Sequence, residues 1–148
     1  MSRNERHVSA PPSAVFDVLA DGWSYASWVV GAARIRDVDP AWPSPGARIH
    51  HSVGAWPLLI DDTSSVEVWE RDRECVLTVR AWPTGEGRVR ITVAPEAEGC
   101  RVVMEEQAVS GPARLLPKPL QDLSLRPRNH ETLRRLAFVA ERREARAV

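Results

Sequence analysis

The chain has 148 residues, 43% of them hydrophobic, and its twenty basic and twenty acidic side chains cancel to a formal net charge of zero. That length is most simply one domain, residues 1–148, able to bury about 70% of the surface its unfolded form exposes. The charge balance removes the long-range field that would draw a protein to nucleic acid or an anionic membrane, and no apolar run has the length needed to cross a bilayer.

The opening MSRNERHVSAPP lacks the apolar core of a signal peptide, so a cytoplasmic protein without stable membrane insertion is expected. Glu5 to Ser9 can form a short strand. Pro11-Pro12 stops it and presets the backbone for a helix in which Val15, Phe16, Val18 and Leu19 make a compact apolar face. Asp21-Gly22 ends that helix, and a second short helical segment follows from Trp23 to Val29, with Trp23 and Trp28 as its bulky members. From Ala32 the punctuation becomes that of a meander. Strands are predicted at 33–38, 48–53, 59–69, 75–82, 88–94 and 101–108, separated by DPAWPSPG, VGAWP, ERDRE, PTGEG and PEAEG. In the last two strands strict alternation sets Val89, Ile91 and Val93 on one face, and likewise Val102, Met104, Glu106 and Ala108, as in a sheet with one buried and one wet face.

SGPARLLPKP, residues 110–119, carries three prolines and two leucines, which predicts an ordered lid or a broken first turn over one end of the sheet. The last stretch, 115–143, repeats apolar residues at helical spacing. Leu123, Leu133, Ala137 and Ala140, with Leu136 beside them, define an inner face on which His130 is also expected. Pro127 should kink this helix or split it, and Asn129 could cap the second part. The arginines from Arg126 to Arg146 read as a solvated helix face, with an anion or nucleic-acid site, or a protein-binding face centred on Arg134 and Arg135, as the alternatives. Cys75 and Cys100 lack metal-type spacing and read as reduced core thiols.

A strand, a Pro-initiated helix, a second short helix ending near a Trp, a six-stranded meander and a long terminal helix together resemble the SRPBCC or START-like superfamily, most of all its bacterial polyketide cyclase/dehydrase and lipid-transport members. The stretches carrying the likeness are HVSAPPSAVFDVLADGWSYASWV, DVDPAWPSPGARIHHSVGAWPLLIDD and RNHETLRRLAFVAERR. The resemblance implies an α+β helix-grip fold, a curved antiparallel sheet around a long C-terminal helix, with a cavity between them. It does not fix an activity, because the fold hosts carriers, receptors, cyclases and oxygenases. The oxygenase branch is set aside, since its iron needs two His and a carboxylate and no paired-His motif stands in the terminal region.

Several residues could carry chemistry in such a cavity. His50 and His51 are adjacent on a strand and must face opposite ways, and the apolar phase of Ile49 and Val53 favours His51 as the inward one. It is either a hydrogen-bonded structural histidine or a ligand-binding, proton-transferring one. Glu106, or Glu105 in the opposite register, would enter the cavity as an acid or base unless an arginine pairs it. Trp28, Trp56, Trp69 and Trp82 stand at element ends, where an indole either fills core volume or covers an opening with its N–H kept wet. Met104, Leu123 and His130 complete the candidate ligand-binding set. No metal or cofactor is expected, for there is no nucleophile elbow, phosphate-binding loop or metal-spaced cysteine. The expected role is binding of a small, largely apolar molecule of lipid, aromatic or polyketide-like type. The alternatives are a cyclase/dehydrase-like enzyme, with His51 or Glu106 moving a proton and Arg80 or Arg90 steadying an enolate, and a protein-interaction module.

Overall fold

The computed structural model describes residues 1–54, 57–81 and 85–147. Strand β1 (Ser2–Val8) leads through Pro11 into helix α1 (Pro12–Ala20), a tight turn of 3-10 helix (Gly22–Ser24) and the single-turn helix α2 (Tyr25–Trp28). Strands β2 (Ala32–Val38), β3 (Arg48–Val53), β4 (Ile60–Glu70), β5 (Glu74–Ala81), β6 (Gly85–Glu96) and β7 (Gly99–Ser110) follow. A second 3-10 turn (Pro112–Leu115) delivers the chain to α3 (Lys118–Ala147). The sheet is seven-stranded and antiparallel in the order β1-β7-β6-β5-β4-β3-β2, so the meander is closed by the first strand pairing with the last.

Alternation sorts the side chains of this sheet into rows. Cys75, Ile91 and Met104 lie side by side across β5, β6 and β7; Leu77, Val89 and Glu106 form the next row, and Val79, Gly87 and Ala108 the one after. The first two rows are buried. The third is built of small residues, and this change of size along one face governs where space remains under α3.

Helix α1 buries Ala14, Val15, Phe16, Val18 and Leu19. Each of its large side chains is worth about 1.5–3 kcal/mol on full burial. Phe16 meets the half-buried Trp69 edge to face at 5.0 Å and seals the end of the sheet where β4 turns into β5. Trp23, expected as a bulky packing member, is instead exposed.

Helix α3 runs unbroken across Pro127. The carbonyl of Arg126 accepts a hydrogen bond from Asn4 Nδ2 at 3.2 Å, tying α3 to β1. The buried side of α3 is Asn129, Thr132, Leu133, Leu136, Ala137 and Ala140. That row is centred differently from the stripe read from the leucines. At about 100° of turn per residue, Leu123 and His130 fall to one side of it, and both are exposed. Asn129 caps nothing; its amide is fully buried against the sheet.

Candidate functional site

Two spaces lie between the sheet and α3. The inner one, about 30 Å³, is walled mostly by Tyr25, Trp28, Leu77, Val89, Ile91 and Met104. The outer one, about 120 Å³, has the small residues Gly85, Gly87, Ala108 and Ala113 as part of its wall, with Leu116, Gln121, Ser124 and Leu125 contributed by the turn and α3. Where large residues stand on the sheet the space nearly closes, and where they give way to glycine and alanine it opens. Gly85 is required on other grounds too: its φ is +112°, and a Cβ there would lie 2.1 Å from the carbonyl oxygen of Ser110.

Val79, Glu106 and Arg128 border both spaces. Glu106 projects inward from β7 and is 6% exposed. Its Oε2 accepts a hydrogen bond from Arg128 Nη2 and another from Asn129 Nδ2, the latter at 2.9 Å. Arg128 also donates from Nε and Nη2 to Asn129 Oδ1, at 3.3 and 3.2 Å, which fixes the guanidinium plane. The second carboxylate oxygen, Oε1, stands 3.4 Å from the position a Cβ on Gly87 would take. Among the described residues neither Oε1 nor Arg128 Nη1 has a hydrogen-bond partner. A charge-assisted pair therefore stands at the junction of the two spaces with one acceptor and one donor uncommitted among the described residues.

A second polar group lies deeper. His51 is 1% exposed and its Nε2 is 2.9 Å from Ser64 Oγ, which is also 2.9 Å from the Tyr25 hydroxyl. The Tyr25 ring stacks on His51 at 5.6 Å and meets Trp28 edge to face at 5.4 Å. Burial holds His51 below the usual histidine range, and burial pushes the Tyr25 phenol up to about 12 despite the opposing hydrogen bond with Ser64. At neutral pH Tyr25 is thus an O–H group and His51 a neutral ring. His51 Nδ1 and Trp28 Nε1 are buried without a hydrogen-bond partner.

The predicted residues divide on this geometry. Met104, Trp28 and Glu106 border the inner space. Trp28 is 2% exposed, so its N–H is not kept wet at a rim. His51 is inward as expected but sits behind Tyr25 and borders neither space, because the stacked ring occupies the room in front of it. His50 points the other way, with Nε2 3.0 Å from Asp39 Oδ1. Trp69 packs on Phe16 at the opposite end of the sheet from the outer space. Leu123 and His130 face away from the sheet. Arg80 and Arg90 do not enter either; they are exposed and pair with Glu86 at 3.1 Å and Glu74 at 3.0 Å. Trp56 and Trp82 lie outside the described residues. Sequence reasoning missed Arg128, Asn129 and Tyr25. The available signal was Glu106 itself, since a carboxylate on an inward face demands a cation or an amide opposite it. Among the described residues no cluster of three or more His, Cys, Asp or Glu has a metal-binding arrangement.

A curved antiparallel sheet closed over a long terminal helix, with a charged pair at the junction of the two spaces between them, defines a helix-grip container. The chain belongs to the family described as polyketide cyclase/dehydrase and lipid transport, which it matches over residues 2–141. Among solved structures it is similar to protein NE0264 from Nitrosomonas europaea, at 14% identity and TM-score 0.70, covering 95% of this chain and 94% of that one. Ara h 8.0201 gives 12% identity and TM-score 0.70, with 93% and 95% covered. The di-domain ARO/CYC BexL gives 16% identity and TM-score 0.67, with 96% of this chain covered and 48% of BexL. At these identities the likeness is one of fold. No curated protein matches the chain in sequence. No described helix is long and apolar enough to cross a membrane.

Proposed function

We propose that the chain binds a small, largely apolar molecule bearing a hydroxyl or carbonyl group in the space between sheet and α3. The observation that carries this reading is the Glu106–Arg128 pair at the junction of the two spaces, with Oε1 and Nη1 uncommitted. A ligand O–H would donate to Oε1 and a ligand oxygen would accept from Nη1, while Val79, Leu77 and Val89 take its apolar body. Pockets for larger ligands run to several hundred Å³. Spaces of about 30 and 120 Å³ therefore favour a single aromatic ring or a compact enolisable compound over a long acyl chain. The test is calorimetric titration with phenol, resorcinol, acetylacetone and palmitate. Binding of the first three, lost in Val89→Phe and weakened about tenfold in Glu106→Gln, supports the reading. Equal binding in all three proteins, or palmitate as the only ligand, refutes it.

The same pair favours one alternative, an enolising enzyme of cyclase/dehydrase type. Glu106 would take a proton from an activated carbon, and Arg128 would stabilise the charge that passes to the substrate oxygen. Arg128 then replaces Arg80 and Arg90 in that role, and His51 leaves it. Deuterium uptake by acetylacetone in heavy water, accelerated by the protein and not by Glu106→Gln, supports turnover; uptake at the buffer rate excludes it for this substrate class.

A further inference from the structure

Before it reaches Arg128, α3 presents two different faces. Gln121, Ser124, Leu125 and Arg128 turn to the outer space. Leu120, Leu123 and Pro127, three and four residues apart, form a second stripe on the outside of the helix. Leu120 is 52% exposed and Leu123 71%, and the preceding turn adds Leu115 at 87% and Leu116 at 49%. Four exposed leucines on consecutive turns form an apolar surface of the kind that marks an interaction site.

The charges around it are also one-sided. Arg114, Lys118 and Arg126 are interleaved with the leucines, and none has a carboxylate partner among the described residues. By contrast Arg128, Arg134, Arg135 and Arg143 each hold an acid. The one acid between Gly111 and Pro127 is Asp122, whose Oδ1 lies 3.6 Å from the amino group of Met1. The zero net charge of the whole chain thus conceals a basic, leucine-rich edge.

Its place in the fold matters as much. Because the strands alternate in direction, the last residues of β3, β5 and β7 and the first residues of β4 and β6 all lie at one end of the sheet. The outer space opens there, and Leu58, 79% exposed, belongs to the same end. Leu116 is both part of the exposed stripe and part of the chamber wall.

We propose that this edge docks on an anionic lipid surface, with Leu115, Leu120 and Leu123 entering the boundary between headgroups and acyl chains and Arg114, Lys118 and Arg126 meeting the phosphates. Hydrocarbon covers the leucines without requiring a complementary shape, and anionic headgroups satisfy cations that have no carboxylate partner among the described residues. Docking in this pose sets the mouth of the chamber against the lipid, so an apolar ligand passes between bilayer and chamber without crossing water.

The experiment is co-sedimentation of the full chain with vesicles of phosphatidylcholine and phosphatidylglycerol in equal parts, beside vesicles of phosphatidylcholine alone. Binding to the mixed vesicles should exceed binding to the neutral ones by about tenfold or more and fall as salt rises. The double variant Leu120→Ser/Leu123→Ser should lower the partition coefficient by about 10- to 100-fold. Lys118→Gln/Arg126→Gln should lower it by about 25-fold, each cation contributing about fivefold. All four positions are on the surface, so the thermal midpoints should match the wild type. Absence of wild-type binding to the mixed vesicles, or binding that ignores the leucine substitutions, overturns the proposal. So does a dimer in sedimentation equilibrium that the leucine variant dissociates, because the stripe is then covered by a second copy of the chain. Titration with resorcinol in the absence of vesicles reads the chamber separately. Equal affinity in wild type and leucine variant assigns the vesicle effect to the docking face, whereas lost affinity assigns it to a damaged chamber and overturns the docking proposal.

Discussion

Replacing Arg128 with Met tests whether the Glu106–Arg128 pair is a structural commitment of the interior or an incidental contact. Met keeps much of the aliphatic stem and removes the guanidinium, leaving Glu106, 6% exposed, with the Asn129 amide at 2.9 Å as its remaining side-chain donor among the described residues. Stranding one member of a fully buried ion pair costs about 3–5 kcal/mol. The Arg128 side chain is 38% exposed and borders the outer space, so water can reach the orphaned carboxylate and the expected cost falls to about 1–3 kcal/mol. For a domain of this length that corresponds to a thermal midpoint lower by about 2–10 °C. Glu106→Leu alone strands the cation at the more exposed end and should cost less. The double variant should recover part of the loss, with a coupling of about 1–2 kcal/mol. Urea unfolding of the four proteins, followed by tryptophan fluorescence, measures each corner of the cycle. An Arg128→Met variant within 0.5 kcal/mol of the wild type, which is the ordinary spread about a neutral surface substitution, together with no coupling, would refute the account of the pair given above.

Three further outcomes follow from individual residues. His51 is held neutral by burial, between Tyr25 of α2, Asp62 and Ser64 of β4 and Arg36 of β2, so the unfolded chain binds a proton more readily than the folded one. Stability should therefore be retained above about pH 6.5 and lost as pH falls below it, with a slope of up to about 1.4 kcal/mol per pH unit that shrinks in His51→Asn; thermal melts across pH 5 to 8 read this. Gly85→Ala places a Cβ 2.1 Å from the Ser110 carbonyl oxygen at a φ of +112° and should cost about 2 kcal/mol or more, measured as a lowered urea midpoint. Cys75 is 1% exposed and its thiol is pushed up to about 12 by burial, so a thiol reagent should label it only after unfolding, at a rate that rises with urea; prompt labelling of Cys75 in native buffer would contradict its placement.

Much of the fold was legible because its breaks are chemical. Pro11-Pro12 does start α1, and DPAWPSPG falls between β2 and β3, whereas ERDRE and PEAEG overlap the ends of the strands they separate and VGAWP and PTGEG lie partly outside the described residues. Alternation along β7 put Met104 and Glu106 on one face and left open whether that face or the one carrying Glu105 is inward; in the structure Met104 and Glu106 border the inner space. The helix was harder to read, since its sheet-facing row is polar where it matters. Asn129 and Thr132 are buried, with Asn129 bonded to Glu106 and Thr132 Oγ1 accepting from the Val30 amide at 3.2 Å. A hydrophobic stripe fitted to α3 therefore slid toward Leu123, a residue that belongs to the outward stripe. Arg128 was hidden for a related reason: in a run of helix arginines nothing local distinguishes the one that turns inward. Tyr25 was passed over because a single tyrosine at the start of a one-turn helix carries no periodicity, and only the fold brings it onto His51.

The pairing of β1 with β7 has a consequence for how the container comes into being. Ser2 faces Glu106 and Val8 faces Cys100 across that ladder, while each of β2 to β6 pairs with its immediate successor. Neighbouring strands can zip together locally, but the first strand waits for a partner about a hundred residues downstream, and that loop closure is among the costliest in the topology. During synthesis β1 stays without its β7 partner until the residues between them have been made. Helix α3 is held at its Arg126 carbonyl by Asn4 and at its Glu141 side chain by the Ser9 amide, so part of its seat is missing while β1 is unpaired. The roof of the chamber is thus anchored across the longest-range ladder of the sheet, and a substitution that weakens the β1–β7 pairing should loosen the chamber without touching its lining.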